Sequence, residues 1–229
     1  MSETMKSDSA GIAFAKERQS IVDLCMELSR IGFLAGVGGN VALRLSDSEL
    51  AVTPSAADYY TMKARDICIL NIYTLERLDK DNSRSPSVES ALHAALLLRR
   101  PDLRASVHTH QPLASVAALI HRSIPLLKEE DRALLGKEVV LVNYGPSGSS
   151  LLVAALQKAI RNDINSYLLR NHGLVCAAQA LDLALKGAKC IEKAAAAYLL
   201  ELIHTAEKTP LPPAMLARIE NLLKEAMQI

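Results

Sequence analysis

The sequence predicts an α/β fold, a central sheet covered by helices on both faces. Two observations carry that expectation. Segments with strand character are interleaved with segments of helical apolar spacing along most of the chain, without any fixed repeat period. Half of the residues are hydrophobic and 22% are charged, an ordinary globular balance with ample material for a core. A length of 229 residues suits a single domain over 1–229.

A loose polar tail, 1–14, precedes the first helix, where Ile21, Leu24, Cys25, Leu28 and Ile31 recur at helical spacing until Gly32 and Gly36 end it. The stretch "VGGNVALRLSDSELAVTPSA" reads as a β-hairpin: Val41, Leu43 and Leu45 alternate with other residues, and the turn falls near Ser46, Asp47 and Ser48. "DICILNIY" is another strand, and "LDKDNSRSPS" a polar loop. "SPSVESALHAALLLRRPD" reads as a helix capped by Ser85 or Ser87, with Pro86 in its first turn and Pro101 at its close. A strand ending in "VHTH" follows, then the helical "PLASVAALIHR". "KEVVLVNY" and "SYLLRNHGLVCAA" are further strands, separated by the helical "SSLLVAALQKAIRN". A long helix runs from about Leu181 to His204, and an amphipathic helix lies within the tail 209–229.

Composition excludes several classes of function. The net charge is +1 and no Lys/Arg run stands out, which argues against nucleic acid or an anionic membrane as partner. Aromatic residues make up 3% and Trp is absent, so there is no platform for stacking bases. Cys25, Cys68, Cys176 and Cys190 form no CxxC pair. The N-terminal segment lacks the apolar core of a signal peptide, and no apolar stretch approaches the roughly 20 residues that span a bilayer. The expectation is a soluble cytoplasmic protein with four free thiols.

Alternation along a strand points residues i and i+2 to one side, so His108 and His110 offer two imidazoles to one metal ion. His172, in "LLRNHGLV", shares their setting beside an apolar strand and is the candidate third ligand. His93 and His121 fall in helices, and His204 near a helix end. Three histidines with an open position describe a catalytic Zn²⁺ site better than a closed structural one. Glu89, in the first turn of its helix, has two readings. It favours the helix dipole, an effect of about 0.3–1 kcal/mol, or it is a base set near the metal. His93, four residues on, lies on the same helical face and either orients Glu89 or packs there. "AGVGGNVALR" offers Gly36, Gly38, Gly39 and Asn40, whose backbone and amide groups suit an anion or a substrate oxygen. It is neither a Walker A sequence nor a dinucleotide fingerprint.

Taken in order, "GGNVALR" (38–44), "VTPSA" (52–56), "PSVESALHAAL" (86–96), "ASVHTH" (105–110), "VNYGPSGS" (142–149) and "LLRNHGLV" (168–175) resemble the class II aldolase/adducin family, over roughly 15–205. The resemblance implies an α/β/α sandwich around a mixed, largely antiparallel sheet. It implies that His108, His110 and His172 bind a divalent metal, usually zinc, and that Glu89 is the catalytic acid/base. Gly39, Asn40, Ser55 and Ser87 fall where the family contacts the phosphate or enediolate oxygens of a small-molecule substrate. A homotetramer with the active site at a subunit interface is implied too. The implied activity is that of a carbon–carbon lyase, aldol cleavage through a metal-held enediolate. Decarboxylation of a hydroxy-keto or aromatic hydroxy acid is the alternative. Epimerase or dehydratase chemistry comes next, and a non-catalytic adducin-like module last.

Three stations depart from the family's sugar-phosphate aldolases, which tend to read T-x-G-N, T-P-[ST]-G and S-S-E. Here Val37, Ala56 and Val88 replace hydroxyl or glycine positions. Each lost hydrogen bond to a charged group costs about 1.5–3 kcal/mol, which points to a substrate without a phosphate. A family tyrosine after "SIP" is absent, with Lys128, Glu129 and Glu130 in that region, while Tyr144 persists in a more structural setting. The tail "KTPLPPAMLARIENLLKEAMQI" carries no family motif.

Overall fold

The computed structural model describes residues 12–34, 36, 38–205 and 212–228. Most of the expected tail at 1–14 and the departure at Val37 lie outside the described residues. Eight strands form one sheet: β1 (Asn40–Arg44), β2 (Glu49–Val52), β3 (Cys68–Asn71), β4 (Ala105–Thr109), β5 (Ile124–Pro125), β6 (Glu138–Val142), β7 (Ser166–Leu169) and β8 (Gly173–Ala178). Their order is β3-β2-β1-β4-β8-β7-β6-β5. The β6–β7 pair is parallel and the other pairs are antiparallel. The sheet is thus mixed and largely antiparallel, as expected.

Alternation along the strands builds a core on each face. Val41, Val107, Leu174 and Cys176 pack with α1 (Ala15–Arg30), α3 (Pro112–Leu119), α4 (Glu129–Leu135) and α6 (Leu181–His204). Ala42, Leu50, Val175 and Ala177 face the other way, against α2 (Ser90–Arg99) and α5 (Ser150–Ala159). Fully burying a residue such as Leu28 or Leu96 contributes about 1.5–3 kcal/mol. The last helix, α7 (Pro213–Ala226), leans on α6 through Leu223, Ala196 and Leu199. Among the described residues no helix is long and apolar enough to cross a membrane.

The structure corrects three expectations. "SYLLRNHGLVCAA" is two strands, β7 and β8, joined by a turn in which Asn171 holds φ 58. α4 has no counterpart in the sequence reading, because its seven residues are too few to display a helical apolar repeat. Finally, α2 begins at Ser90, and neither Ser85 nor Ser87 caps it. Ser55 N donates to Ser85 O and Ser87 N to Thr53 O, so 85–87 is drawn into extended pairing with 53–55. Glu89 is therefore the residue before the helix rather than part of its first turn.

Candidate metal centre and active site

β4 lies mid-sheet between β1 and β8, and its five residues are all buried. His108 sits on the β4 face that carries Ser106, opposite Asn40 of β1 and Val175 of β8. His110 follows just beyond the strand, and His172 stands in the β7–β8 turn. The candidate ligand atoms of the three histidines all lie within 4.8 Å of one another. Two glycines permit that approach. A Cβ on Gly173 would fall 2.5 Å from the Thr109 carbonyl oxygen and 2.8 Å from His110 Cδ2. A Cβ on Gly39, where φ is 82°, would fall 2.7 Å from the His108 carbonyl oxygen.

The donor set suits a cation. His108 Nδ1 donates to the Leu174 carbonyl at 2.8 Å, which leaves Nε2 as a lone pair facing His110 Nε2 at 2.9 Å. Burial pushes the His108 imidazole down to about 3. Burial lowers His110 as well, assisted by the neighbouring His172. Neutral imidazoles at neutral pH are the form that ligates metal. His172 Nδ1 is buried without a hydrogen-bond partner. These residues fit a divalent ion with at least one position left for another ligand.

Glu89 closes the cluster. Its Oε2 lies 3.3 Å from His108 Nε2 and its Oε1 3.6 Å from His172 Nε2. Asn40 Nδ2 donates to Oε2 at 2.9 Å, and Ser147 Oγ donates to Oε1 at 2.8 Å. Burial works against the carboxylate. The hydrogen bonds donated by Asn40 and Ser147 nonetheless help to hold it well below the ordinary glutamate range. Asn40 is held in turn: its Oδ1 accepts from His93 Nε2 at 2.5 Å, while His93 Nδ1 accepts from Ser106 Oγ at 2.8 Å. Burial lowers His93 to about 4, so it acts as a neutral bridge. His93 thus orients Glu89 at one remove, through Asn40.

A small pocket of about 140 Å³ opens on this cluster. The sequence-predicted Gly39, Asn40, Ser55, Ser87, Glu89, His110 and His172 all line it, and His108 lies fully buried beneath. Ser87 Oγ accepts from Glu89 N at 3.2 Å, so it shapes the backbone of that carboxylate. Ala56 holds φ 51, which keeps the turn of a glycine station at some conformational cost. Val88 is 67% exposed at the rim, and a Cβ on Gly148 would meet its Cγ2 at 3.3 Å. His121 is tied to Asn171, the chain neighbour of His172, and His204 to Glu220; neither is a member of the cluster. Sequence reasoning assigned no role to Ser147 or Ser106. The hydroxyl of Ser147 meets Glu89 across 58 positions, and no spacing rule signals that contact.

A mid-sheet cluster of three imidazoles beside a buried, ionised carboxylate defines an α/β protein with a candidate catalytic metal site. The chain belongs to the class II aldolase/adducin family: the family model described as "Class II Aldolase and Adducin N-terminal domain" matches residues 19–199. The chain is 30% identical over 190 residues to the L-fuculose phosphate aldolase of Escherichia coli (strain K12), covering 83% of this chain and 86% of that one. It is 33% identical over 185 residues to the 5-deoxy-D-ribulose 1-phosphate aldolase of Bacillus thuringiensis serovar kurstaki, covering 80% and 84%. Among solved structures, an L-fuculose 1-phosphate aldolase aligns with a TM-score of 0.78 at 26% identity, over 93% of this chain and 98% of that one. The YgbL structure from Klebsiella pneumoniae shares the fold, with a TM-score of 0.74 at 23% identity over 91% and 100%.

Proposed function

We propose that this protein is a divalent-metal-dependent aldolase that cleaves a small sugar phosphate. The observation that carries the reading is the placement of Glu89, within 3.3 Å of His108 Nε2 and 3.6 Å of His172 Nε2, beside a third imidazole. His108, His110 and His172 would hold the metal, and three nitrogen donors with an open position suit zinc. A bound zinc ion supplies Lewis acidity, polarising the substrate carbonyl and balancing the negative charge that carbon–carbon cleavage releases. Glu89, ionised at rest, accepts a proton from substrate and returns it to carbon. Asn40 and Ser147 fix its two oxygens, and Gly39, Ser55 and Ser87 line the side of the pocket where substrate oxygens would rest.

The substrate is taken as phosphorylated because both aldolase relatives carry sugar phosphates in their names. Ala56 and Val88 both line the pocket, with Val88 67% exposed at its rim, and the non-phosphorylated acids are kept in the assay for that reason. The same reading takes the protein as a cytoplasmic homotetramer. Its four free cysteines agree with a reducing compartment, and light scattering would test the assembly.

The test is direct. Zinc-loaded protein is assayed against L-fuculose 1-phosphate, 5-deoxy-D-ribulose 1-phosphate and non-phosphorylated hydroxy-keto acids, with the aldehyde product quantified. Cleavage of a sugar phosphate supports the reading. Loss of CO₂ from an acid, with every sugar phosphate left intact, would replace aldol cleavage by decarboxylation.

A further inference from the structure

Aldol cleavage moves two protons. The hydroxyl on the carbon that becomes the aldehyde must lose one, and the carbon left as an enediolate must gain one. Glu89 can serve as a single account for both only if a proton from the first site reaches it. Glu89 lines the pocket but is only 5% exposed, which leaves room for contact with one substrate atom, the carbon, and not with the hydroxyl as well. Oε2 faces Asn40 and His108, both buried. Oε1 is covered on the pocket side by the exposed Ser147, whose hydroxyl donates to it at 2.8 Å. Of the other pocket hydroxyls, Ser87 Oγ accepts from the Glu89 backbone N–H and makes no bond to the Glu89 carboxylate. Among the described residues, Ser147 is the pocket hydroxyl seen to donate to that carboxylate.

We propose that Ser147 is a catalytic residue, a hydroxyl relay between the substrate and Glu89. The proposal rests on the aldol-cleavage reading above. In cleavage the substrate hydroxyl passes its proton to Ser147 Oγ while Ser147 passes its own to Glu89 Oε1. The carbon–carbon bond breaks, its electron pair goes to the enediolate, and the former carbinol leaves as aldehyde. Glu89 then delivers the proton to the enediolate carbon, giving the ketone and restoring the carboxylate. Ser147 ends as it began, and no further reactant is required. Its place on the loop between β6 and α5, with Ser149 capping α5 through Leu152 N, gives the hydroxyl a fixed mount.

Ser147→Ala separates this role from simple positioning of Glu89. Two rates are measured on zinc-loaded wild type and variant. One is cleavage of 5-deoxy-D-ribulose 1-phosphate. The other is deuterium uptake from D₂O into dihydroxyacetone phosphate, the ketone fragment, which uses Glu89 at carbon but has no aldehyde hydroxyl. Truncation opens Oε1 to water, so Glu89 still equilibrates with solvent. The expected result is a loss of about 10²-fold in cleavage with a loss below about fivefold in deuterium uptake. Metal content and unfolding midpoint should stay at wild-type values. Equal losses in both rates would reduce Ser147 to a positioning residue, and unchanged cleavage would remove it altogether; either overturns the proposal. A wild-type chain active in neither assay overturns the aldolase reading and the relay with it.

Discussion

Asn40 stands directly opposite His108 across the β1–β4 ladder, and its amide nitrogen donates to Glu89 Oε2, which lies 3.3 Å from His108 Nε2. One pair of strands therefore sets a candidate ligand beside the amide that holds the candidate acid/base.

Glu89→Gln keeps the size of the side chain but removes its basic oxygen. The variant is expected to retain about one zinc per chain, by elemental analysis, while turnover falls by about 10²–10⁴-fold. Near-normal rates would show that the proton is carried by another group.

His110 sits just beyond β4 and is partly exposed, so its removal spares the core. His110→Ala is expected to weaken zinc binding by at least about 100-fold, more than the loss of an outer-sphere partner typically costs. Competition with a chelator measures it, and an unchanged affinity would exclude His110 from the ligand set.

Gly173→Ala places a methyl against the Thr109 carbonyl and the His110 ring. A loss of about 1–3 kcal/mol in unfolding free energy is expected from overpacking, with weaker zinc binding, both read by denaturant titration with and without metal. A variant as stable as wild type would show that the turn relaxes freely.

His93 is fully buried with both ring nitrogens bonded. His93→Ala strands Asn40 Oδ1 and Ser106 Oγ, and about 2–5 kcal/mol of stability should be lost from the cavity and the unpaired groups. Turnover should fall in the folded fraction because Asn40 is free to rotate from Glu89. A folded variant with wild-type turnover would dispense with the relay from Ser106 to Glu89.

Stability should also respond to pH through Glu192 of α6, which caps α3 by accepting from Leu113 N at 2.7 Å and Ala114 N at 3.1 Å. Burial raises its pKa despite those bonds. A carboxyl raised on folding stabilises fully below its ordinary value of 4.5 and loses that contribution as pH climbs through the raised one. The stability of wild type minus that of Glu192→Gln is therefore expected to become less positive, or more negative, from pH 4.5 upward. Urea titrations at several pH values check the sign, and a rise of wild-type stability relative to the variant with increasing pH would contradict it.

The sequence by itself determined the α/β class, the helix from Leu181 to His204, the β1–β2 hairpin, and every histidine that meets at the cluster. Those features are written in local periodicity and in short motifs that keep their order along the chain. The tertiary structure decided what spacing cannot encode. Ser85–Ser87 is extended because Thr53 and Ser55 offer it backbone partners, although the local residues favour a helix start. Glu89 becomes a hydrogen-bonded carboxylate beside imidazoles because β1 brings Asn40 and a distant loop brings Ser147. Hydrogen bonds between residues 49 and 58 positions apart exist only once sheet register and loop closure are set. The candidate ligands could be read from the chain, but the surroundings that tune them arise from packing.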